Sequence, residues 1–158
     1  MDDLLATLRH YIDRVDHLVI KSETVEGALE VVPWPGTFPA GQHFAVALGF
    51  AARAALKPAG RTMPAFPDQF TAPQLRAMAR QTRAALDGLT GADLRGPVTH
   101  VAGFANLEQT LADYLLRFAF PNMIFHLTAG YAGLRQAGVA VGKADVDGLH
   151  AYPDGFTF

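Results

Sequence analysis

Six histidines and no cysteine carry most of the chemistry that this 158-residue chain can offer. His126 is the foremost candidate. Asn122 lies four residues earlier, on the same face of a helix, where its amide could orient the imidazole. The competing role is a partly buried histidine hydrogen-bonded within the core. His43 precedes Phe50 by seven residues, so the two share a helical face. With that face inward, His43 would meet His126. Two imidazoles with a carboxylate such as Glu108 or Asp113 would then suit zinc or iron. Surface exposure near a helix start is the commoner situation for such a residue. Arg117 stands in an apolar run with Leu115, Leu116, Phe118 and Phe120. Pointing inward it requires an acidic partner or an anionic ligand; pointing outward it snorkels along the surface. His10 and His17, seven apart among charges, read as a solvated helix flank, and His100 and His150 fall in irregular or hairpin segments. Gly142-Lys143 lacks the earlier glycine and following hydroxyl of a phosphate loop. No nucleophile elbow, paired catalytic acids or dinucleotide fingerprint occurs elsewhere.

The elements that must position these residues are mainly helical. Leu4, Leu5, Leu8, Tyr11, Ile12, Val15, Leu18 and Val19 recur at steps of three and four, which predicts a helix over residues 2–22. Pro33, Pro35 and Pro39 disfavour regular structure in the next stretch. Its Val31, Val32, Trp34 and Phe38 are too apolar for a free linker, so the loop should cap one end of the core. A second helix follows from about Ala40 to Leu56, rich in alanine and stopped by Pro58 and Gly60. Thr71-Ala72-Pro73-Gln74 has the form of a capping box opening a third helix, which ends near Gly88. Val98 to Thr110 reads as a short β-hairpin around Gly103. Helical spacing resumes at Leu111, with a break or kink expected at Pro121, and the last helix runs to about Gln136 with Gly138 as its C-cap. Ala129, Gly133 and Ala137 form a small-residue stripe that predicts close helix packing. The tail from Tyr152 to Phe158 should form a turn followed by exposed aromatics. The expectation is an all-α fold, a four-helix bundle with a short hairpin between helices three and four, in a single domain over residues 1–158.

A chain of this length buries roughly 70% of its unfolded surface, so it needs no staples. Lacking cysteine, it has no disulfides, thiolate nucleophiles or cysteine-rich zinc sites. The net charge of −2 gives no electrostatic footprint for nucleic acid. The longest apolar or glycine run, Phe44 to Ala52, falls far short of the ~18 residues that span a bilayer. With an acidic start at Asp2 and Asp3, no nucleic-acid partner, no membrane and a cytoplasmic location are the expectations.

The segment from Tyr114 to Thr128, with its Pro121-Asn122-x-x-Phe125-His126-Leu127-Thr128 core, and the later Gly142-Lys143-x-Asp145 piece resemble an uncharacterised bacterial family of the DinB/YfiT-like metalloenzyme superfamily. The resemblance is strongest over residues 111–148 and weaker over 38–66. It implies the bundle already expected, a homodimer, and in many members a divalent metal held by three histidines. One of these lies on the second helix and a His-x-x-x-His pair on the last. Here Gly130 stands four residues after His126, and Phe50 and Arg117 occupy positions where relatives are expected to carry histidine. Metal ligation is therefore not favoured, and no cofactor is expected. A divalent metal (zinc, nickel or iron) at His43 and His126 is the lesser alternative.

Three functions compete on these residues. The first is a metal-free or degenerate-site ligand-binding bundle, with Arg117, Asn122, His126 and Tyr131 lining the pocket for a small molecule. The second is a metal-dependent hydrolase or thiol-dependent transferase using His126. The third is a dimeric structural or interaction protein.

Overall fold

The structure, a computed structural model, describes residues 1–153 and 156. Four of the five residues in the Asp154–Phe158 part of the expected aromatic tail lie outside the described residues.

Helix α1 spans Asp2–Ser22 and buries Leu5, Leu8, Ile12, Val15, Leu18 and Val19. Asp2 and Asp3 in its first turn and Lys21 in its last suit the helix dipole. Helix α2, Ala40–Leu56, is buried nearly all round, with His43, Phe44, Leu48 and its alanines inside. A helix apolar on every face belongs in the middle of a fold. Accordingly α2 packs against α1, against α3 (Ala72–Leu86) and most extensively against α5 (Phe120–Gln136), while α1 also packs along α3. Among the described residues no helix is long and apolar enough to cross a membrane.

Thr71 precedes α3, but the expected capping box does not form. Its hydroxyl makes no cap hydrogen bond, and the Gln74 side chain instead accepts from the Gln69 backbone N–H at 3.1 Å. Pro73 has already removed one of the N–H groups such a cap would serve. Strands β1 (Val98–Ala102) and β2 (Ala105–Gln109) form the expected hairpin, antiparallel with Ala102 opposite Ala105. Gly103 supplies the positive φ that the first position of its two-residue turn demands.

The break expected at Pro121 is also corrected. The chain runs from α4 (Leu111–Asp113) through a π-helical stretch, Tyr114–Ala119, directly into α5. The Phe120 N–H reaches five residues back to the Leu115 carbonyl. This wide turn places Pro121 in the first turn of α5, where its missing N–H costs little. Helix α5 ends as expected at Gly138, whose φ is +86°. Val139 N–H bonds the Leu134 carbonyl and Gly138 N–H that of Arg135, the paired bonds of a Schellman ending.

A short helix α6, Lys143–Asp147, lies against α1. The Arg14 guanidinium donates to the Asp145 carbonyl at 2.7 and 3.0 Å, and His10 Nε2 lies 2.7 Å from the Asp147 carbonyl. His17 and Lys21 meet the Asp145 carboxylate at 2.7 and 3.0 Å. His10 and His17 therefore are not a merely solvated flank; they anchor α6. Spacing within α1 could not show this, because their partners lie more than a hundred residues away.

Candidate functional site

The α2–α5 contact is tight because α5 offers almost no bulk to α2. A Cβ at Gly130 would lie 2.6 Å from the Phe44 ring, and one at Gly133 would lie 2.8 Å from Ala40 Cβ and 3.1 Å from the Val31 carbonyl. Ala129 is buried and Ala137 packs against the core from the same stripe. Helices can approach this closely only where side chains are missing.

That approach brings two imidazoles together. His43 Nδ1 and His126 Nδ1 are 2.9 Å apart, within hydrogen-bond range. His43 is wholly buried, which corrects the expectation that it sits exposed near its helix start. The cause is the preceding loop: Trp34 and Phe38 lie over the His43 ring at 6.0 and 5.6 Å, and Phe125 closes from α5 at 6.3 Å. His126 is half-buried and flanked by two nearly parallel rings, Phe38 at 6.3 Å and Phe50 at 5.9 Å. The Thr37 hydroxyl lies 2.8 Å from His43 Nε2. The result is a line from hydroxyl to imidazole to imidazole, walled by aromatic rings.

Only two tautomer patterns satisfy this line. If His43 donates from Nδ1, its Nε2 accepts from Thr37 and His126 presents an Nε2–H outward. If His126 donates from Nδ1, His43 Nε2–H donates to Thr37 and His126 Nε2 is a bare acceptor. Both are arrangements of neutral rings, and the surroundings favour them. Burial, and then the adjacent His43, push His126 down to about 4. Burial pushes His43 in the same direction.

The donor set does not fit a metal. No group of three histidine, aspartate or glutamate side chains that could hold an ion occurs among the described residues. Glu108 is exposed on β2, opposite Thr99, and Asp113 is engaged by Arg117 at 3.1 Å. A third ligand four residues after His126 has nowhere to go, since Phe44 occupies the space beside Gly130. Structural zinc takes four ligands and catalytic zinc three.

Among the described residues, no hydrogen bond or ring contact joins the other pocket candidates to His126. The Arg117 side chain is 79% exposed and ion-paired to Asp113 one turn back, so it points outward. Asn122 donates to the Phe118 carbonyl at 2.7 Å, serving the π-helical turn rather than orienting His126. Tyr131 is half-buried against the core. Thr37, Trp34 and Phe38 take the places around the dyad instead. Thr37 carried no signal in the sequence; the aromatic density of its loop was the one available hint.

A comparison with the curated proteins finds no match. Among solved structures, the chain is similar to a DinB family member protein from Shewanella denitrificans. The two share 22% identity and a TM-score of 0.82, over 96% of this chain and 93% of that one. The fold is thus DinB-like, mostly helical with one small antiparallel hairpin. A family model described as a domain of unknown function (DUF1993) matches residues 3–146, nearly the whole sequence, and the chain belongs to that family.

Proposed function

We propose that this protein is a metal-free ligand-binding member of its fold, with the His43–His126 dyad as the polar centre of an aromatic-walled site. The observation that carries this reading is the direct Nδ1–Nδ1 approach of 2.9 Å. Two neutral imidazoles that satisfy each other have no need of a cation between them.

The same geometry argues against hydrolysis by Thr37. A hydroxyl nucleophile needs a histidine base backed by a group that stabilises the imidazolium formed on proton transfer. Behind His43 stands a second imidazole, which offers no negative charge. His126, held down to about 4, is itself a weak base at neutral pH. What remains is one outward hydrogen-bonding position, His126 Nε2, among Trp34, Phe38, Phe50 and Phe125. That arrangement suits a small neutral molecule with an aromatic or apolar body and one hydroxyl, as ligand sites in general combine apolar walls with few polar groups.

One untagged preparation tests both halves. Elemental analysis should find well below one equivalent of zinc, nickel, manganese or iron, and added zinc should bind far more weakly than the roughly 10–16 kcal/mol of structural sites. Phenol should saturate a change in the fluorescence of Trp34, the only tryptophan, and His126→Phe should abolish that saturation. Stoichiometric metal that resists mild chelation would revive a metal-dependent enzyme, and a Trp34 signal indifferent to phenol would remove the ligand site.

A further inference from the structure

A cleft of about 410 Å³ lies between the C-terminal half of α2, the hairpin and the π-helical stretch. Arg53, in the last turn of α2, and Lys57, at its C-cap, lie four residues apart along the cleft. Gly60, at φ +64°, then turns the chain so that the Arg61 N–H bonds the Leu56 carbonyl at 2.8 Å. Arg61 thereby extends the same row of cations along the cleft. None of the three forms an ion pair with a carboxylate among the described residues. Arg61 feels the field of Asp93, whose carboxylate is already held by Thr90. Arg53 rests over the Phe50 ring at 5.4 Å.

The lining also carries the apolar side chains of Met63, Val101 and Phe118. His100 also lines the cleft, is 6% exposed, and packs at a tilt against Phe118, ring centroids 4.2 Å apart. Its Nε2 bonds the Gln109 side-chain oxygen at 2.6 Å, which makes Nε2 the donor and leaves Nδ1 as an acceptor. That Nδ1 is buried with no partner. Cations at a helix C-terminus favour the helix dipole, but this alone does not explain a cleft of ligand size lined by three cations without carboxylate partners.

We propose that this cleft binds a small organic carboxylate, its acid group against Arg53, Lys57 and Arg61 and its apolar body against Met63, Val101 and Phe118. Guanidinium groups favour carboxylates through paired hydrogen bonds, and the volume falls in the range of small-molecule pockets. The site is separate from the His43–His126 dyad, with Phe50 contacting residues of both.

Titration of the full chain with benzoate, followed by amide NMR, tests the assignment. Benzoate should saturate with a Kd below about 1 mM, with the largest shifts at His100 and Val101. Benzamide, the neutral analogue, should bind at least tenfold more weakly, and so should benzoate in 0.5 M salt. Lys57→Gln/Arg61→Gln, both exposed and remote from the core, should weaken benzoate at least tenfold while leaving the phenol response of Trp34 unchanged. Arg53→Gln, as a second variant, should also weaken benzoate at least tenfold. The proposal is overturned if benzoate fails to saturate by 10 mM, if benzamide binds equally well, if folded variants bind like wild type, or if inorganic phosphate binds more tightly than benzoate.

Discussion

Gly133→Leu should unfold at a lower urea concentration than the wild type, with a loss of roughly 1–3 kcal/mol or more. The first carbon added at this position would lie 2.8 Å from Ala40 Cβ and 3.1 Å from the Val31 carbonyl. Both neighbours are fixed: Ala40 opens α2 and its N–H bonds the Val31 carbonyl at 2.9 Å. Leucine must therefore push α5 away from α2. Gly130→Ala should fail in the same direction through Phe44, a wholly buried ring that a methyl group would meet at 2.6 Å. The sign is informative, because on an exposed helix face replacing glycine with alanine would stabilise by up to about 1 kcal/mol. Either variant unfolding at a higher urea concentration would mean that α5 does not pack on α2 through this stripe. The same clash blocks a histidine at position 130, so restoring a ligand spacing at this site requires reducing Phe44 as well.

Acid should weaken the protein in a window that belongs to the dyad. An unfolded histidine takes up a proton near pH 6.5, whereas His126 in the folded protein stays neutral down to about 4. Below pH 6.5 the unfolded state therefore binds more protons, and stability falls as the pH drops towards 4. Discounted for the partial exposure of His126, the loss is about 2 kcal/mol, and the depressed His43 adds to it in the same direction. Asp145 and Asp147 titrate below the ordinary carboxylate range, Asp147 at about 2, so their contributions disappear at lower pH. Urea midpoints at pH 7 and pH 4.5 should differ by correspondingly less in His126→Gln. An unchanged pH dependence in that variant would show that the imidazole is not held neutral by its surroundings.

The helices were legible because burial along each one repeats with the local period. The stripe in α1, the alanine-rich α2 and the Gly138 ending all follow from residues close in sequence. What was not legible depended on partners far along the chain. His43 looked exposed until Trp34 and Phe38 folded back over it, and His17 looked solvated until Asp145 reached it. Thr71 and Gln74 had the spacing of a capping box, yet Gln69 supplied a competing donor. At Pro121 the rule that proline interrupts a helix held in part. The irregularity moved one turn earlier and became a π-helical stretch, so the chain continued without a break. Arg117 shows the limit of composition: its apolar neighbours left inward and outward orientations equally open, and Asp113, one turn of helix away on the outer surface, decides between them.

The central claim is that His43 and His126 are neutral and hydrogen-bonded to one another rather than to a metal. Side-chain nitrogen NMR of the two imidazoles, recorded from pH 8 to pH 4 before and after chelation, reads this most directly. One protonated Nδ1 and one acceptor Nδ1 should be coupled across the 2.9 Å contact. His126 should take up no proton until the pH approaches 4, and chelation should leave the spectra unchanged. Two rings that titrate independently near pH 6.5, or nitrogen resonances that move when a chelator is added, would contradict it.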